Sequence, residues 1–354
     1  MAIVGERVNL MHLGTHGLCA AGLRNTLIKE NFRNALKRSG GKATTYPIDH
    51  PQEHGTQYYL VRGMRESFDP KALYDVAMQG KVMAAAVLPG MGQVFGQLSK
   101  GELPLIWKLN LGAGKQVNGD SITTRVYAKA REAMERAVNN GAKFWGATYY
   151  FGSINAPDML RQLSEMDEAG AEFGLGGVVW NYARGTQLKG KDDAVVNQLW
   201  GFEEIINACP ASLVLIKEKV SSVPGTVAEW KAQEGSPDTL IKAGWGKPGD
   251  KDLDEGAITS FLSLDRAGQI AYLVQTQRDM GYASLMSGGA PQDPEKFAKD
   301  VKDGIGFDRH IAGIAGRGTT RQIRKVGPGK YDLSAAIKHF EMLNAAAPTV
   351  VIEE

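Results

Sequence analysis

Cysteine is scarce in this chain. There are two in 354 residues, Cys19 and Cys209, and neither lies in a C-x-x-C motif. That excludes a disulfide framework and sets the expectation of a reducing cytoplasm. Charge of one sign is missing too: the formal net charge is +2, which supplies no electrostatic case for nucleic acid or an anionic membrane surface. No apolar run approaches the ~20 residues of a membrane span. The opening stretch Met1–Leu10 contains Glu6 and Arg7 and lacks the apolar core of a signal peptide. There is no tandem repeat of short period and no low-complexity tract. What remains is an ordinary globular composition, 43% hydrophobic and 23% charged, with sequence enough for one large domain or two ordinary ones. Glycine is abundant at 43 residues, many of them at the ends of apolar runs, where tight turns and close backbone approach to a ligand are needed.

Apolar periodicity supplies the architecture. Residues 1–18 are glycine-rich and show no clear period. From Ala20 to Arg38 the spacing of Leu23, Leu27, Ile28, Phe32 and Leu36 predicts a helix, ended by Ser39-Gly40-Gly41. Its basic residues (Arg24, Lys29, Arg33, Lys37, Arg38) read as a solvated face. Eight short apolar runs follow: Thr44–Asp49, Val82–Leu88, Pro104–Asn110, Lys143–Phe151, Gly176–Tyr182, Ser212–Val220, Tyr282–Gly289 and His310–Gly318. Helical patterns lie between most of them, at Ser121–Asn139, Ala156–Phe173, Asp265–Met280 and Pro294–Ile305. Alternation of strand and helix predicts parallel βα units, and eight is the number in a TIM (β/α)8 barrel. The division expected is an N-terminal helical extension over 1–42 and the catalytic barrel over 43–354. A doubly wound open sheet is the alternative, but no G-x-G-x-x-G follows an early strand. Residues 221–260, rich in Gly, Pro, Lys and Asp, read as an elongated βα loop over the face where barrel active sites form.

The sixth run carries two lysines near its end, Lys217 and Lys219. Two apart on a strand, they share one face. Mutual repulsion and burial both disfavour the charged form of an amine, leaving the free base that a Schiff-base nucleophile needs. The alternative is a strand end emerging into solvent with two hydrated lysines.

Other polar residues stand at corresponding strand ends, where barrel enzymes place their chemistry. Asp49 ends the first run. Lys108 and Asn110 share a face on the third, as do Trp180, Tyr182 and Arg184 on the fifth. Ser287-Gly288-Gly289 and Gly316-Arg317-Gly318 close the seventh and eighth, a position suited to phosphate held by backbone N–H groups and one guanidinium. Singly, each has a plainer reading: Tyr182 and Trp180 as core, Asp49 as a cap or salt-bridge partner, Ser-Gly-Gly as a turn. Together they converge on one rim. Two histidine pairs, His12/His16 and His50/His54, have the i, i+4 spacing of zinc ligands. Neither has the H-E-x-x-H pattern, and Gly14 and Pro51 oppose a regular helix, so no metal is expected.

Six motifs, in order, resemble a known family: Ile48-Asp49-His50 with Glu53-His54-Gly55; Pro104-Leu105-Ile106-Trp107-Lys108-Leu109-Asn110; Trp180-Asn181-Tyr182-Ala183-Arg184-Gly185; Ile216-Lys217-Glu218-Lys219; Ser287-Gly288-Gly289-Ala290; and Gly316-Arg317. Over about Thr44 to Gln322 the chain resembles the class I fructose-bisphosphate aldolases of the archaeal and bacterial type, within the deoxyribose-phosphate aldolase-like Schiff-base enzymes. The resemblance implies Lys217 as the imine-forming lysine, Tyr182 as proton donor and acceptor at carbon, and Asp49 as a further acid/base or orienting group. It implies substrate contacts from Trp180, Arg184, Lys108 and Lys219, with Ser287, Gly288, Gly289, Gly316 and Arg317 holding phosphate. It also implies a cytoplasmic homo-oligomer of glycolysis or gluconeogenesis that needs no cofactor or metal. A related lysine-dependent enzyme acting on another phosphorylated ketose or keto compound is the alternative. Two positions depart from the family pattern: Pro51 stands where glycine is usual, and Gly318 where a polar residue is usual.

Overall fold

The structure is a computed structural model; it describes residues 7–9, 22–49, 69–99, 101–112, 116–117, 119–189, 195–217, 260, 263, 285–287, 312–314, 317–347 and 349–352. The barrel strands are β2 (Ala43–Pro47), β3 (Ala84–Val87), β4 (Leu105–Lys108), β9 (Ala142–Phe151), β10 (Gly176–Ala183), β11 (Leu213–Lys217), β12 (Leu285–Ser287) and β13 (Ala312–Ile314). They close into an eight-stranded barrel in which every neighbouring pair is parallel, β13 returning to β2. All eight expected runs coincide with barrel strands, differing by a few residues at the ends.

Between them lie α2 (Pro70–Gln79), α3 (Pro89–Ser99), α4 (Ala130–Asn139), α5 (Ala156–Phe173) and α6 (Val195–Ala208). The short α7 (Arg317–Thr320) and the longer α8 (Ser334–Ala346) follow the last strand. The period of two along each strand sorts residues into two packing layers. Tyr46, Trp107 and Trp145 point outward to the helices, where Tyr46 meets Phe340 of α8 edge to face at 5.2 Å. Ala84, Ala86, Ile106, Phe144, Val178 and Leu215 point inward and form a separate buried cluster. Helices approach closely where glycine allows it: a Cβ on Gly92 of α3 would lie 2.3 Å from the Trp107 ring.

The amino-terminal helix α1 (Thr26–Arg38) belongs to the inner cluster. Leu23, Ile28 and Phe32 pack into the amino-terminal mouth of the barrel, Phe32 meeting Phe144 edge to face at 5.6 Å. Burying a side chain of this size contributes on the order of 2–3 kcal/mol. The helix starts where Asn25 accepts from the Leu27 and Ile28 N–H groups. Its exposed edge is tied down by Asn25 Nδ2 donating to the Ala171 carbonyl at 2.9 Å and Asn31 Nδ2 to that of Gly174 at 2.8 Å. Both acceptors lie just before the start of β10, so α1 closes the end opposite the expected site. A two-stranded parallel pair, β1 (Arg7–Asn9) with β14 (Thr349–Val351), joins the two ends of the described chain.

One expectation needs correction. The helix predicted over Ser121–Asn139 begins only at Ala130. The residues before it form short antiparallel pairings, β5 (Asn110–Leu111) with β8 (Thr124–Arg125) and β6 (Gln116–Val117) with β7 (Asp120–Ser121). Ile122, Thr123, Thr124 and Val126 are β-branched and favour extended backbone over helix. The helices expected at Asp265–Met280 and Pro294–Ile305 lie outside the described residues. Among the described residues, no helix is long and apolar enough to cross a membrane.

Candidate active site

The carboxyl end of the barrel is where the inward-facing series turns polar. Along β9, Phe144 gives way to Gly146, Thr148 and Tyr150; along β10, Val178 gives way to Trp180 and Tyr182; along β11, Leu215 gives way to Lys217. Asp49, two residues past β2, and Lys108, the last of β4, face the same space.

Lys217 is 5% exposed. Its Nζ sits 4.3 Å from the centroid of the Tyr182 ring, so the amine is inside the barrel rather than in bulk water. Its strand is anchored from below. Asp167 of α5 accepts from the Ala211 N–H at 2.7 Å, the Ser212 N–H at 2.8 Å and the Ser212 hydroxyl at 2.7 Å, and Trp145 Nε1 donates to that hydroxyl at 2.9 Å. Burial pushes the Asp167 carboxyl up, and these donors only partly offset it. Trp180 and Lys217 are register partners across β10 and β11, which places both at one height in the barrel.

Lys108 Nζ lies 2.8 Å from Asp49 Oδ2, and the two side chains are 3% and 5% exposed. The same ammonium sits 5.1 Å from the centroid of the Trp180 ring. Asn110, grouped with Lys108 from sequence, has a backbone role: it donates to the Thr148 carbonyl at 2.8 Å and accepts from the Thr148 N–H at 2.7 Å. Tyr182 stacks on Tyr150 at 6.0 Å and 30°, with the Arg184 guanidinium 4.9 Å from its ring centroid. Tyr150 was not anticipated. Its signal was available in the alternation along Lys143–Phe151, which puts 144, 146, 148 and 150 on the inner face.

Gly146 makes room for this arrangement. A Cβ there would lie 2.8 Å from Ile106 Cγ2, 2.9 Å from Trp180 Cζ3 and 3.2 Å from Lys108 Cγ. Gly146→Ala is therefore expected to displace Trp180 and Lys108, costing about 1–3 kcal/mol of stability and about tenfold or more in turnover. Thermal melting and steady-state kinetics measured together check both numbers.

The structure thus brings together Asp49, Lys108, Trp180, Tyr182, Arg184 and Lys217. Ser287 is the last residue of β12, and Met286 before it is the register partner of Lys217. Arg317 opens α7, three residues after β13 ends. Lys219, Gly288, Gly289, Gly316 and both histidine pairs lie outside the described residues.

The sequence profile of the DeoC/LacD family aldolases matches residues 44–207, from the first barrel strand to the end of α6. This stretch is a DeoC/LacD-family aldolase domain. A protein from Halobacterium salinarum named fructose-bisphosphate aldolase class 1 is 26% identical over 238 residues, 66% of this chain and 84% of its own length. Two solved structures share the fold of the aldolase domain and its surroundings. One is an archaeal fructose-1,6-bisphosphate aldolase with its catalytic lysine covalently bound to the carbinolamine intermediate, with TM-score 0.55, 19% identity, and 90% of this chain matched to 99% of that one. The other is the fructose-bisphosphate aldolase of Slackia heliotrinireducens, with TM-score 0.59, 17% identity, and 89% and 91% coverage. At these identities the structural likeness is one of fold.

Proposed function

We propose that this protein is a Schiff-base aldolase that reversibly cleaves fructose 1,6-bisphosphate into dihydroxyacetone phosphate and glyceraldehyde 3-phosphate. The observation that carries the proposal is the buried Lys217 amine held against the Tyr182 ring at the catalytic end of an aldolase barrel.

The amine adds to the C2 carbonyl of the ketose, and the carbinolamine loses water to give an iminium. The iminium receives the electron pair of the C3–C4 bond as that bond breaks. The C4 hydroxyl gives up its proton, and glyceraldehyde 3-phosphate leaves. Tyr182, the ring in contact with the amine, returns a proton to C3 of the enamine, and water releases dihydroxyacetone phosphate. Asp49 and Tyr182 are the two candidate acceptors of the C4 hydroxyl proton. Lys108 and Arg184 bring positive charge toward an anionic substrate, and Trp180 shapes the sugar site. Ser287 and Arg317, with Gly288, Gly289 and Gly316, are assigned to the phosphates, and Lys219 to a further substrate contact. The same proposal includes a cytoplasmic location, supported by the scarcity of cysteine and testable by fractionation, and a homo-oligomer, implied by the family resemblance and testable by light scattering.

Sodium borohydride with dihydroxyacetone phosphate is expected to leave a reduced adduct on Lys217, located by peptide mass spectrometry. An adduct on another residue, or on none, overturns the assignment. A panel of ketose phosphates tests the substrate. Strong preference for a ketose other than the bisphosphate would leave the lysine chemistry standing and replace the proposed reaction with that of a related aldolase or transferase.

A further inference from the structure

Asp120 has no place in the chemistry above, yet it is a carboxylate with only 1% of its surface exposed. It sits on β7, in the hairpin segment that follows barrel strand β4. One oxygen, Oδ2, accepts from the Ser153 hydroxyl at 2.7 Å and the Ile154 N–H at 3.0 Å. The other, Oδ1, accepts from the Thr186 N–H at 2.8 Å and the Thr186 hydroxyl at 3.3 Å. Ser153 and Ile154 form the turn after β9; Thr186 lies in the turn after β10. One side chain therefore stitches together the segments following three successive barrel strands.

The two turns are also joined directly. The Arg184 N–H donates to the Phe151 carbonyl at 2.9 Å and the Gln187 N–H to that of Gly152 at 3.0 Å. Gly152 and Gly185 have φ of +92° and +143°, and a Cβ on Gly185 would lie 2.1 Å from the Gly152 carbonyl oxygen. No side chain fits there, so the turns meet backbone to backbone. The strands they terminate carry Tyr150 and Tyr182, the stacked pair beside Lys217. Burial pushes the Asp120 carboxyl up, but the donors from Thr186, Ser153 and Ile154 outweigh it and hold the group below the ordinary carboxylate range.

We infer that Asp120 is a positioning residue: by clamping the turns after β9 and β10 to the hairpin, it holds Tyr182 in register with the Lys217 amine for proton transfer to carbon. The inference rests on the Schiff-base reading of the site. Asp120→Asn replaces one acceptor oxygen with an amide that faces donors, releasing one of the two turns. The adduct at Lys217 needs only the amine, whereas proton exchange at C3 of dihydroxyacetone phosphate needs Tyr182 in place.

In the full-length D120N protein, borohydride trapping at Lys217 is expected to stay within about twofold of wild type. C3 proton exchange and kcat are expected to fall by about 10- to 100-fold, with KM little changed. Ser153→Ala, which removes one of four donors, is expected to lower exchange a few-fold with melting preserved. It carries the test if D120N does not fold. Trapping and exchange falling in parallel, or neither changing, would overturn the positioning role. A wild-type protein without a Lys217 adduct would instead remove the underlying reading, so the two failures are distinguishable.

Discussion

Lys217→Met is expected to lower bisphosphate cleavage by roughly four to six orders of magnitude, to near background, because it removes the nitrogen proposed to form the imine. Methionine has nearly the length of lysine and no charge, so the pocket keeps its filling. Lys217 is 5% exposed, and an unbranched apolar side chain of similar length fills the same buried space. The protein is therefore expected to stay folded while turnover disappears. The borohydride adduct should vanish with it. Lys217→Arg should be as inactive, since a guanidinium stays protonated and cannot form the imine. Residual turnover within a hundredfold of wild type in the methionine variant would show that the essential amine is elsewhere.

The second large effect is on Asp49. Its carboxylate faces Lys108 at 2.8 Å with both side chains almost fully buried. Asp49→Ala takes from Lys108 the carboxylate that balances its charge, and breaking a buried pair from one side costs about 3–5 kcal/mol. Stability and turnover should therefore fall together. The double variant Asp49→Ala, Lys108→Met removes both charges and should recover most of the stability without recovering turnover. Denaturant midpoints for the two single variants and the double variant form a cycle that isolates the pair. Equal destabilisation in the single and double variants would mean that the loss comes from packing around Asp49, not from an unbalanced charge.

Much of this site is legible along the chain because a barrel converts strand position into place in space. A residue at the carboxyl end of any inward-facing series must arrive at one rim, whatever the rest of the sequence does. Lys217, Tyr182, Trp180, Lys108 and Asp49 come from three strands and the segment just past a fourth, and each could be placed by counting in twos. The same rule reaches Tyr150, which needed only the alternation of its strand. It fails for Asn110: the parity is right, but its amide is used to pair with the Thr148 backbone, and a hydrogen bond between side chain and main chain leaves no trace in periodicity. It fails for the start of α4 as well. There the apolar spacing of Val126 and Ala130 fits a helix, while pairing of Leu111 with Thr124 holds the preceding residues extended.

What the sequence by itself determined is the alternation of strand and helix, the inner and outer faces, and the amine that a lysine at a strand end makes available. These follow from local rules of period and polarity, which act over a few residues. The tertiary structure alone decided that α1 closes the amino-terminal mouth, that Lys108 meets Asp49, and that Asp120 ties together turns belonging to different strands. Each of these joins residues far apart in the chain, and which of many polar groups becomes the partner of a buried one is settled only when packing has removed water from between them.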